Sequence, residues 1–394
     1  MLGGVAGTLA AIGGVLEIAG WMATHRFARR APAPPPGTEP ITVLKPLHGA
    51  EPLLVEALSS LCEQDYPPGF QIVFGVHHDA DPAIAVVRTI QERYPGREIE
   101  LVIDQTRHGA NPKIGNLINM LPMARHDILV LADSDVHTRP DYLRHLSESL
   151  SRPDVGLVTT LYSGLPASPA LPILLGATQI SYDFLPGALI ARAMGRRDCL
   201  GATMCLRRET LEQIGGLEAL KDHLADDNVL GQRVRAEGLD VALAHTVVAT
   251  TVPENRFSAL WRHELRWART IRTLEPAGFA MLPLQYPLFW AIAALLLAQG
   301  AAWAWTLALV IWAVRALAVT GIHFALRDML GGLAFRCPVW LLPLRDLLSA
   351  AEWVVSHAGR DVEWRGQTLH ADTPPRLTQR EPHPATLNKG PNAR

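Results

Sequence analysis

The sequence has few cysteines and almost no net charge, and both features exclude classes of protein. Four cysteines occur in 394 residues, without Cys-x-x-Cys spacing or a neighbouring histidine pair, so we expect reduced thiols and no zinc site. The formal net charge of −2 leaves no broad basic face, which argues against binding to nucleic acid. Internal repeats and the glycine-rich motifs of P-loop and dinucleotide-binding proteins are also missing from the sequence.

Apolar residues, by contrast, make up 48% of the chain and are concentrated at its two ends. Residues 2–23 contain Glu17 as their only charged residue and are long enough to cross a ~30 Å hydrocarbon core as a helix. A cleaved signal peptide is the alternative, but the segment lacks a basic beginning and a clear cleavage site. We therefore predict a transmembrane anchor over residues 1–24.

Two further apolar segments follow one another near the C-terminus. Residues 281–300 carry no charge, and residues 301–320 carry only Arg315. Their lengths predict two membrane spans joined by a short turn. They form the clear part of a C-terminal membrane region that we assign to residues 276–360.

The third segment of that region, residues 338–357, contains Arg345, Asp346 and Glu352. A charged residue at the centre of a bilayer costs roughly 2.5–3.5 kcal/mol on insertion scales. A re-entrant or interfacial helix therefore competes equally with a full span for this segment.

Arginines flank the predicted spans on one side. Arg26, Arg29 and Arg30 follow the N-terminal anchor, and Arg327 and Arg336 follow the second C-terminal span. By the positive-inside rule, they place the domain between the two membrane regions in the cytoplasm. We expect a multi-pass protein of the inner (cell) membrane, in contact with the lipid bilayer.

Two segments are rich in proline or polar residues. Residues 25–40 form a Pro-rich linker that we expect to be a stiff, extended spacer. Residues 361–394 form a polar tail, and the part after Thr373 is expected to be disordered.

The middle of the chain alternates between strand and helix patterns. Strands are predicted at 41–44, 71–76, 99–103 and 128–131, with helices at 53–64, 83–94 and 111–124. This order predicts an α/β fold with a doubly wound, mostly parallel sheet and a ligand crevice at the carboxyl ends of its strands. We assign this domain to residues 41–275.

The fourth predicted strand ends in the sequence Asp133-Ser134-Asp135. The two carboxylates lie two residues apart, on the same side of an extended segment, at the expected ligand edge. A hard cation such as Mg²⁺ held there could bridge the phosphates of a nucleotide-sugar, although an ordinary solvated turn also fits the motif.

Two later clusters add acidic and basic side chains. Asp226 and Asp227 precede the helical pattern 229–237, where we expect one of them to cap the helix. The segment 261–272 repeats arginines at helical spacing and includes Trp267, so an amphipathic interfacial helix is the alternative to a binding site.

Taken in order, these motifs resemble a known family. The residues concerned are Asp79, Asp81, Asp133, Asp135, Asp227, His263, Arg266 and Trp267. Their order is similar to that of the inverting glycosyltransferases of the family-2 type with a GT-A (Rossmann-like) fold, and most of all to the ceramide glucosyltransferase branch with its bacterial hopanoid-associated relatives. The resemblance covers roughly residues 41–275.

The resemblance implies a role for each matching residue. Asp133 would bind the nucleotide-sugar and the metal, Mg²⁺ or Mn²⁺, and Asp135 would bind the metal. Asp227 would be the catalytic base. Arg266 and Trp267 would close the site around the diphosphate and the acceptor.

The sequence departs from the family pattern at two places. His78 stands where relatives usually have the first Asp of a motif, so the nucleobase contact is left between Asp79 and Asp81. His263 stands where many relatives have Gln or Arg, and it can still donate to a phosphate or an acceptor oxygen. Lys113 would bind the donor and neutralise charge on the leaving diphosphate.

The resemblance implies an inverting, metal-dependent transfer from a UDP-sugar, glucose or N-acetylglucosamine, to the hydroxyl of a membrane lipid, ceramide or a hopanoid. A processive polysaccharide synthase and a polyprenyl-phosphate sugar transferase share these motifs. A membrane scaffold that only binds nucleotide-sugars is the non-enzyme alternative.

Overall fold

A computed structural model describes residues 1–29, 35, 37–359, 361–364 and 367–370. Within these residues one mixed sheet has the strands β1 (Ile41–Pro46), β2 (Phe70–Val76), β3 (Glu98–Ile103), β4 (Ile128–Ala132), β5 (Val136–His137), β6 (Val155–Pro166), β7 (Thr203–Arg207) and β8 (Asp240–Val252). Their order is β3-β2-β1-β4-β7-β6-β8-β5. A separate antiparallel pair is formed by β9 (Asp361–Trp364) and β10 (Gln367–His370).

The helices, in chain order, are α1 (Leu2–Ala28), α2 (Leu54–Cys62), α3 (Ala83–Arg93), α4 (Pro112–Met120), α5 (Tyr142–Leu150), α6 (Leu171–Gln179), α7 (Leu185–Ala193), α8 (Arg208–Gln213), α9 (Asp226–Ala236), α10 (Phe257–Leu274), α11 (Pro276–Met281), α12 (Pro287–Leu297), α13 (Ala302–Leu330) and α14 (Leu342–Ser356). A π-helical turn, Ile180–Phe184, joins α6 to α7.

The four predicted strands are β1 to β4, and they are parallel to one another. Strands β6 and β8 are also parallel, whereas β7 runs antiparallel to both β4 and β6. Side chains of β4 alternate between two cores, with Ile128 and Val130 in one and Leu129 and Leu131 in the other. The sheet is thus covered on both faces, and the predicted Rossmann-like α/β fold is confirmed.

In the part of the chain that the structure describes, three helices are long and apolar enough to cross a membrane, Leu2–Ala28, Leu171–Ala193 and Ala302–Leu333. The segment predicted as a span at 281–300 falls in a pair of helical segments, Pro276–Gln285 and Pro287–Leu297, bent by 63°. Proline has no N–H and a fixed φ, so it begins a helix readily and interrupts one easily. With the bent pair, the described residues offer up to four spans.

The uncertain segment 338–357 contains α14, a helix of 15 residues. At 1.5 Å per residue it is about 22 Å long, shorter than a ~30 Å hydrocarbon core. Arg345 and Asp346 within it are completely buried in the protein. The re-entrant or interfacial alternative therefore fits α14 better than a full span.

Charged side chains inside the helical bundle are paired with one another. Arg315 of α13 is fully buried and forms ion pairs with Glu17 of α1, Asp183 between α6 and α7, and Asp346 of α14. Both aspartates lie 2.7 Å from its guanidinium. Loss of any one of these partners would leave an uncompensated buried charge. The ion pairs therefore hold α1, α13, α14 and the α6–α7 segment in one packing arrangement.

The predicted boundaries differ slightly at both ends of the chain. Helix α1 continues to Ala28, beyond the predicted end of the anchor at 24. Residues 30–34 and 36 of the predicted linker 25–40 lie outside the described residues. The predicted tail 361–394 contains β9 and β10, and its remainder also lies outside them.

Candidate functional site

A cavity of about 690 Å³ opens at the carboxyl ends of β1, β4 and β8. Predicted site residues that line it are Lys113, Asp133, Asp135, Asp227, His263, Arg266 and Trp267. They come from segments far apart in the sequence, so the fold brings together seven of the nine side chains predicted for the site.

Lys113 lies between acidic side chains from two segments. Its Nζ is 2.7 Å from Asp133 Oδ1 and 3.4 Å from Asp226 Oδ2. Asn111 caps α4 by accepting from the backbone N–H groups of Lys113 and Ile114, which fixes Lys113 in the first helical turn. Burial opposes its charge, but the Asp133 and Asp226 carboxylates raise the pKa of Lys113 above its ordinary value.

Asp135 is fixed by the neighbouring strand β8. Its carboxylate accepts a hydrogen bond from the Thr250 hydroxyl, and its carbonyl accepts one from the Thr251 N–H at 3.1 Å. Removal from water and the charge of Asp133 together raise the pKa of Asp135 to about 6. A bound cation would relieve this repulsion between the two carboxylates.

The side chains at this edge fit a cation only in part. Among the residues that the structure describes, no three His, Cys, Asp or Glu side chains group closely enough to hold a metal ion. Mg²⁺ is usually bound by one or two carboxylates, with substrate phosphates and water as the other ligands. Asp133 and Asp135 therefore suit a cation that arrives with a diphosphate.

Glu51 was missed by the sequence analysis and also lines the cavity. Its Oε2 accepts a hydrogen bond from Ser134 Oγ at 2.6 Å, between the two predicted ligands. The sequence offered only an acidic residue in the loop after β1. The position of Glu51 beside the two predicted ligands depends on the pairing of β1 with β4, which the sequence around Glu51 does not show.

The prediction that one of the two adjacent aspartates, Asp226 or Asp227, caps α9 is wrong. The helix begins at Asp226, its N-cap residue is Ala225, and no side chain caps it. The Asp226 carboxylate instead lies beside Lys113 and accepts from Asn111 Nδ2 at 3.3 Å. The ion pair with a buried ammonium takes the place of the capping bond.

Asp227 lies in the first turn of α9, against Gly201. Its Oδ1 accepts from the Asn228 N–H at 2.7 Å. A Cβ placed on Gly201 would lie 2.9 Å from Asp227 Oδ2, so a larger residue at 201 would displace this carboxylate. Burial and the charge of Asp226 raise the pKa of Asp227 to about 7, near the value that suits a general base at neutral pH.

Helix α10 supplies the other wall of the cavity. His263 contacts the edge of Trp267, with ring centroids 4.5 Å apart, and its Nδ1 hydrogen-bonds the Glu254 carboxylate. Burial raises the pKa of Glu254, but the bond to His263 outweighs it and lowers the pKa below its ordinary value. Glu254, directly after β8, was also missed by the sequence analysis.

The remaining arginines of 261–272 do not all face the cavity. Arg269 donates to the Ala358 carbonyl at 2.9 Å, and Arg272 donates to the Gly359 carbonyl at 2.7 Å. These two side chains attach α10 to the segment that follows α14. Arg266 lies on the cavity wall.

Asp79 and Asp81 lie at the same edge of the sheet, after β2, but outside the cavity lining. Asp81 accepts from the N–H groups of Gly49 and Ala83, each at 2.9 Å, and so fixes the start of α3. Asp79 is exposed. Only Asp79 of the pair has a carboxylate on the open surface.

Known proteins are similar in sequence to this chain. Ceramide glucosyltransferase 1 of Caenorhabditis elegans is 22% identical over 258 residues, 64% of this chain and 54% of that protein. The beta-monoglucosyldiacylglycerol synthase of Trichormus variabilis is 20% identical over 229 residues, 58% of this chain and 48% of that protein. The chain thus matches about half the length of these relatives.

A mannosyltransferase from Pyrobaculum calidifontis, solved with GDP-Man and Mn²⁺, superimposes with a TM-score of 0.49 at 20% identity, over 91% of this chain and 99% of its own. The model of the family named Glycosyl transferase family 21 matches residues 8–377. That match extends over nearly the whole sequence, including the membrane helices and the cavity. The chain therefore belongs to glycosyl transferase family 21, as its resemblance to the ceramide glucosyltransferase branch predicts.

Proposed function

We propose that this protein transfers a sugar, glucose or N-acetylglucosamine, from a UDP-sugar to the hydroxyl of a membrane lipid of the ceramide or hopanoid type, with inversion at the anomeric carbon. One observation carries the proposal. A single cavity joins the polar groups Asp133, Asp135 and Asp227 to apolar side chains of the helices around the membrane region, namely Phe279, Leu282, Tyr286 and Trp353.

Asp227 is proposed as the base. Its carboxylate removes the proton from the acceptor hydroxyl, whose oxygen forms a bond to the anomeric carbon as the bond to the diphosphate oxygen breaks. The proton stays on Asp227 until the product leaves. A pKa of about 7 makes the carboxylate both available and basic enough near neutral pH.

Lys113 and the two carboxylates after β4 are proposed to bind the donor. Asp133 and Asp135 would hold a divalent cation, which supplies positive charge for the departing diphosphate. The Lys113 ammonium is already directed toward this edge by its ion pair with Asp133. Arg266, on the opposite wall, can approach the same diphosphate oxygens.

Trp267 and His263 are proposed to close the acceptor side. The bond from His263 to Glu254 orients the ring, whose other nitrogen is then directed away from Glu254. Because α10 leads directly into the bent pair, of which α11 is the first part, a lipid hydroxyl could reach Asp227 from the membrane surface. We also propose a cytoplasmic position for this cavity, which the arginines after the predicted spans favour under the positive-inside rule.

The decisive experiment uses membranes that contain the full-length protein, incubated with labelled UDP-glucose or UDP-N-acetylglucosamine. Mass analysis of the lipid extract should show a glycosylated ceramide or hopanoid, and NMR of the product should show an inverted anomeric centre. Membranes with Asp227→Asn are the control. Label in a polymer or in a polyprenyl phosphate would support the alternative enzymes, and no label in any product would support the scaffold.

A further inference from the structure

A second polar group of the cavity lies deeper, between α10 and α14. Arg345 of α14 is fully buried and holds two carboxylates, Glu264 of α10 and Glu352 of α14, each at 3.0 Å. Its Nε donates to Ser349 Oγ at 3.1 Å. Glu264, Ser349 and Glu352 all line the cavity that contains Asp227.

This group has more hydrogen-bond acceptors than donors. Arg345 contacts one oxygen of each carboxylate. The second oxygens, Glu264 Oε2 and Glu352 Oε1, accept no hydrogen bond from an N–H or hydroxyl group of the described residues, and the two carboxyl groups lie close enough to bond to each other when one of them is protonated. The two residues are only 7% and 6% exposed, so water does not replace that donor freely. A buried carboxylate oxygen without a donor is unfavourable, and a ligand with an N–H or O–H would satisfy it.

The surroundings indicate what kind of ligand carries that donor. Phe279, Tyr286 and Trp353 line the same cavity. The indole N–H of Trp353 already donates to the Phe279 carbonyl at 2.9 Å, so it is not a free donor for the carboxylates. An apolar wall around two carboxylate oxygens suits a lipid with polar donors close to its acyl or ring part. It does not suit the anionic diphosphate, which the carboxylates would repel.

We propose that Glu264 and Glu352 form a recognition site for a second hydrogen-bond donor of the acceptor lipid, an amide N–H or a hydroxyl beside the hydroxyl that receives the sugar. This inference rests on the proposed function and specifies which class of lipid serves as the acceptor. Ceramides and hopanoid polyols carry such a donor. A 1,2-diacylglycerol does not, because its reacting hydroxyl is its only donor.

The wild-type protein tests the inference without any substitution. Full-length protein in vesicles is given one UDP-sugar and, in separate assays, a ceramide, the same ceramide methylated on its amide nitrogen and its secondary hydroxyl, or a diacylglycerol. All three retain a free primary hydroxyl. We expect kcat/KM to be roughly 10- to 100-fold higher for the unmodified ceramide, the worth of a hydrogen bond to a charged group. A bacteriohopane polyol and its partly methylated form provide the same comparison for the hopanoid class.

Glu352→Gln and Glu264→Gln then connect the preference with these residues. Arg345 retains the amide oxygen, so the NH₂ group occupies the place of the unpartnered oxygen and offers a donor where the lipid needs an acceptor. We expect the preference to fall to within about threefold, through a higher acceptor KM with an unchanged KM for the UDP-sugar. Asp346→Asn, on the same helix and equally buried but paired with Arg315, is the matched control and should lower transfer to all acceptors equally.

The outcomes separate the inference from the function on which it rests. Equal transfer by the wild type to methylated and unmodified acceptors would overturn the inference and leave the lipid glycosyltransferase intact. An unchanged preference in both Gln variants would mean that the two carboxyls share a proton with each other and have only a structural role. Transfer to no lipid would overturn the proposed function and the inference together.

Discussion

Lys113 Nζ lies 2.7 Å from Asp133 Oδ1 and links the two acidic clusters of the cavity. The same ammonium is 3.4 Å from Asp226, which precedes the proposed base. The charge of Lys113 therefore partly neutralises carboxylates on both the donor side and the acceptor side of the cavity. Its removal should affect both the binding of the diphosphate and the basicity of Asp227.

The first prediction concerns that balance. Lys113→Met should lower kcat/KM by roughly 10²–10³-fold, the usual loss when one stabilising group for developing charge is removed. Because Lys113 lowers the pKa of Asp227, its loss should also move the acidic limb of the pH profile to higher pH. Steady-state kinetics across pH measure both effects. Lys221→Met, a lysine paired with Glu218 outside the cavity, is the control, and an equal loss there would contradict the role of Lys113.

The second prediction concerns the metal. If Asp133 and Asp135 hold a divalent cation, excess EDTA should abolish transfer, and added Mg²⁺ or Mn²⁺ should restore it. Asp135→Ala should weaken donor binding and turnover together, since a lost ligand affects the ground state and the transition state alike. Isothermal titration with UDP, with and without the cation, checks the binding part. Full activity in excess EDTA would refute this assignment.

The sheet could be predicted because its signal is local. Strands β1, β2 and β4 have buried apolar residues on both faces, β3 has partly buried ones, and short helical patterns separate the four strands. The position of Asp133 and Asp135 at the ligand edge then follows from the direction of β4. The role of Asp226 could not be predicted, because its partner Asn111 lies 115 positions earlier in the chain.

Prediction of the membrane region from sequence is limited in the same way, because the partners of its charged residues are distant in the chain. Asp183 lowers the apparent hydropathy of Leu171–Ala193, but it is paired with Arg315 of a distant helix. Likewise, Arg345 and Glu352 weigh against a span when read singly, although each has a partner inside the protein. The hydropathy of a short stretch of sequence depends on how many charged residues it contains. It carries no information on which of these residues form ion pairs with other helices in the fold.

The third prediction concerns orientation. If the cavity is cytoplasmic, as we propose from the arginines after the predicted spans, a cysteine introduced at Ser151, which is exposed after α5, should resist an impermeant maleimide in intact cells. It should react after the membrane is permeabilised. The four native cysteines are buried, and labelling of the protein without the added cysteine measures their background. Labelling of intact cells would show that the orientation is inverted.

The fourth prediction concerns the base and its acidic neighbour. Asp227 must be deprotonated to accept a proton, so with a pKa of about 7 the value of kcat/KM should rise with pH through neutrality and level off above it. Asp227→Asn keeps the size of the side chain but not its basicity. Turnover should fall by roughly 10²–10⁴-fold and lose that pH dependence, while UDP binding, measured by calorimetry, should persist.

Asp226→Asn provides the matched comparison, because it changes the adjacent residue in the same way. The negative charge of Asp226 raises the pKa of Asp227, so its removal should lower that pKa and extend activity to lower pH. The loss at the plateau should be smaller than for Asp227→Asn, although the ion pair with Lys113 is gone. The reverse ranking, with Asp226→Asn abolishing turnover and Asp227→Asn shifting only the pH profile, would assign the base to Asp226, whose carboxylate lies beside Lys113.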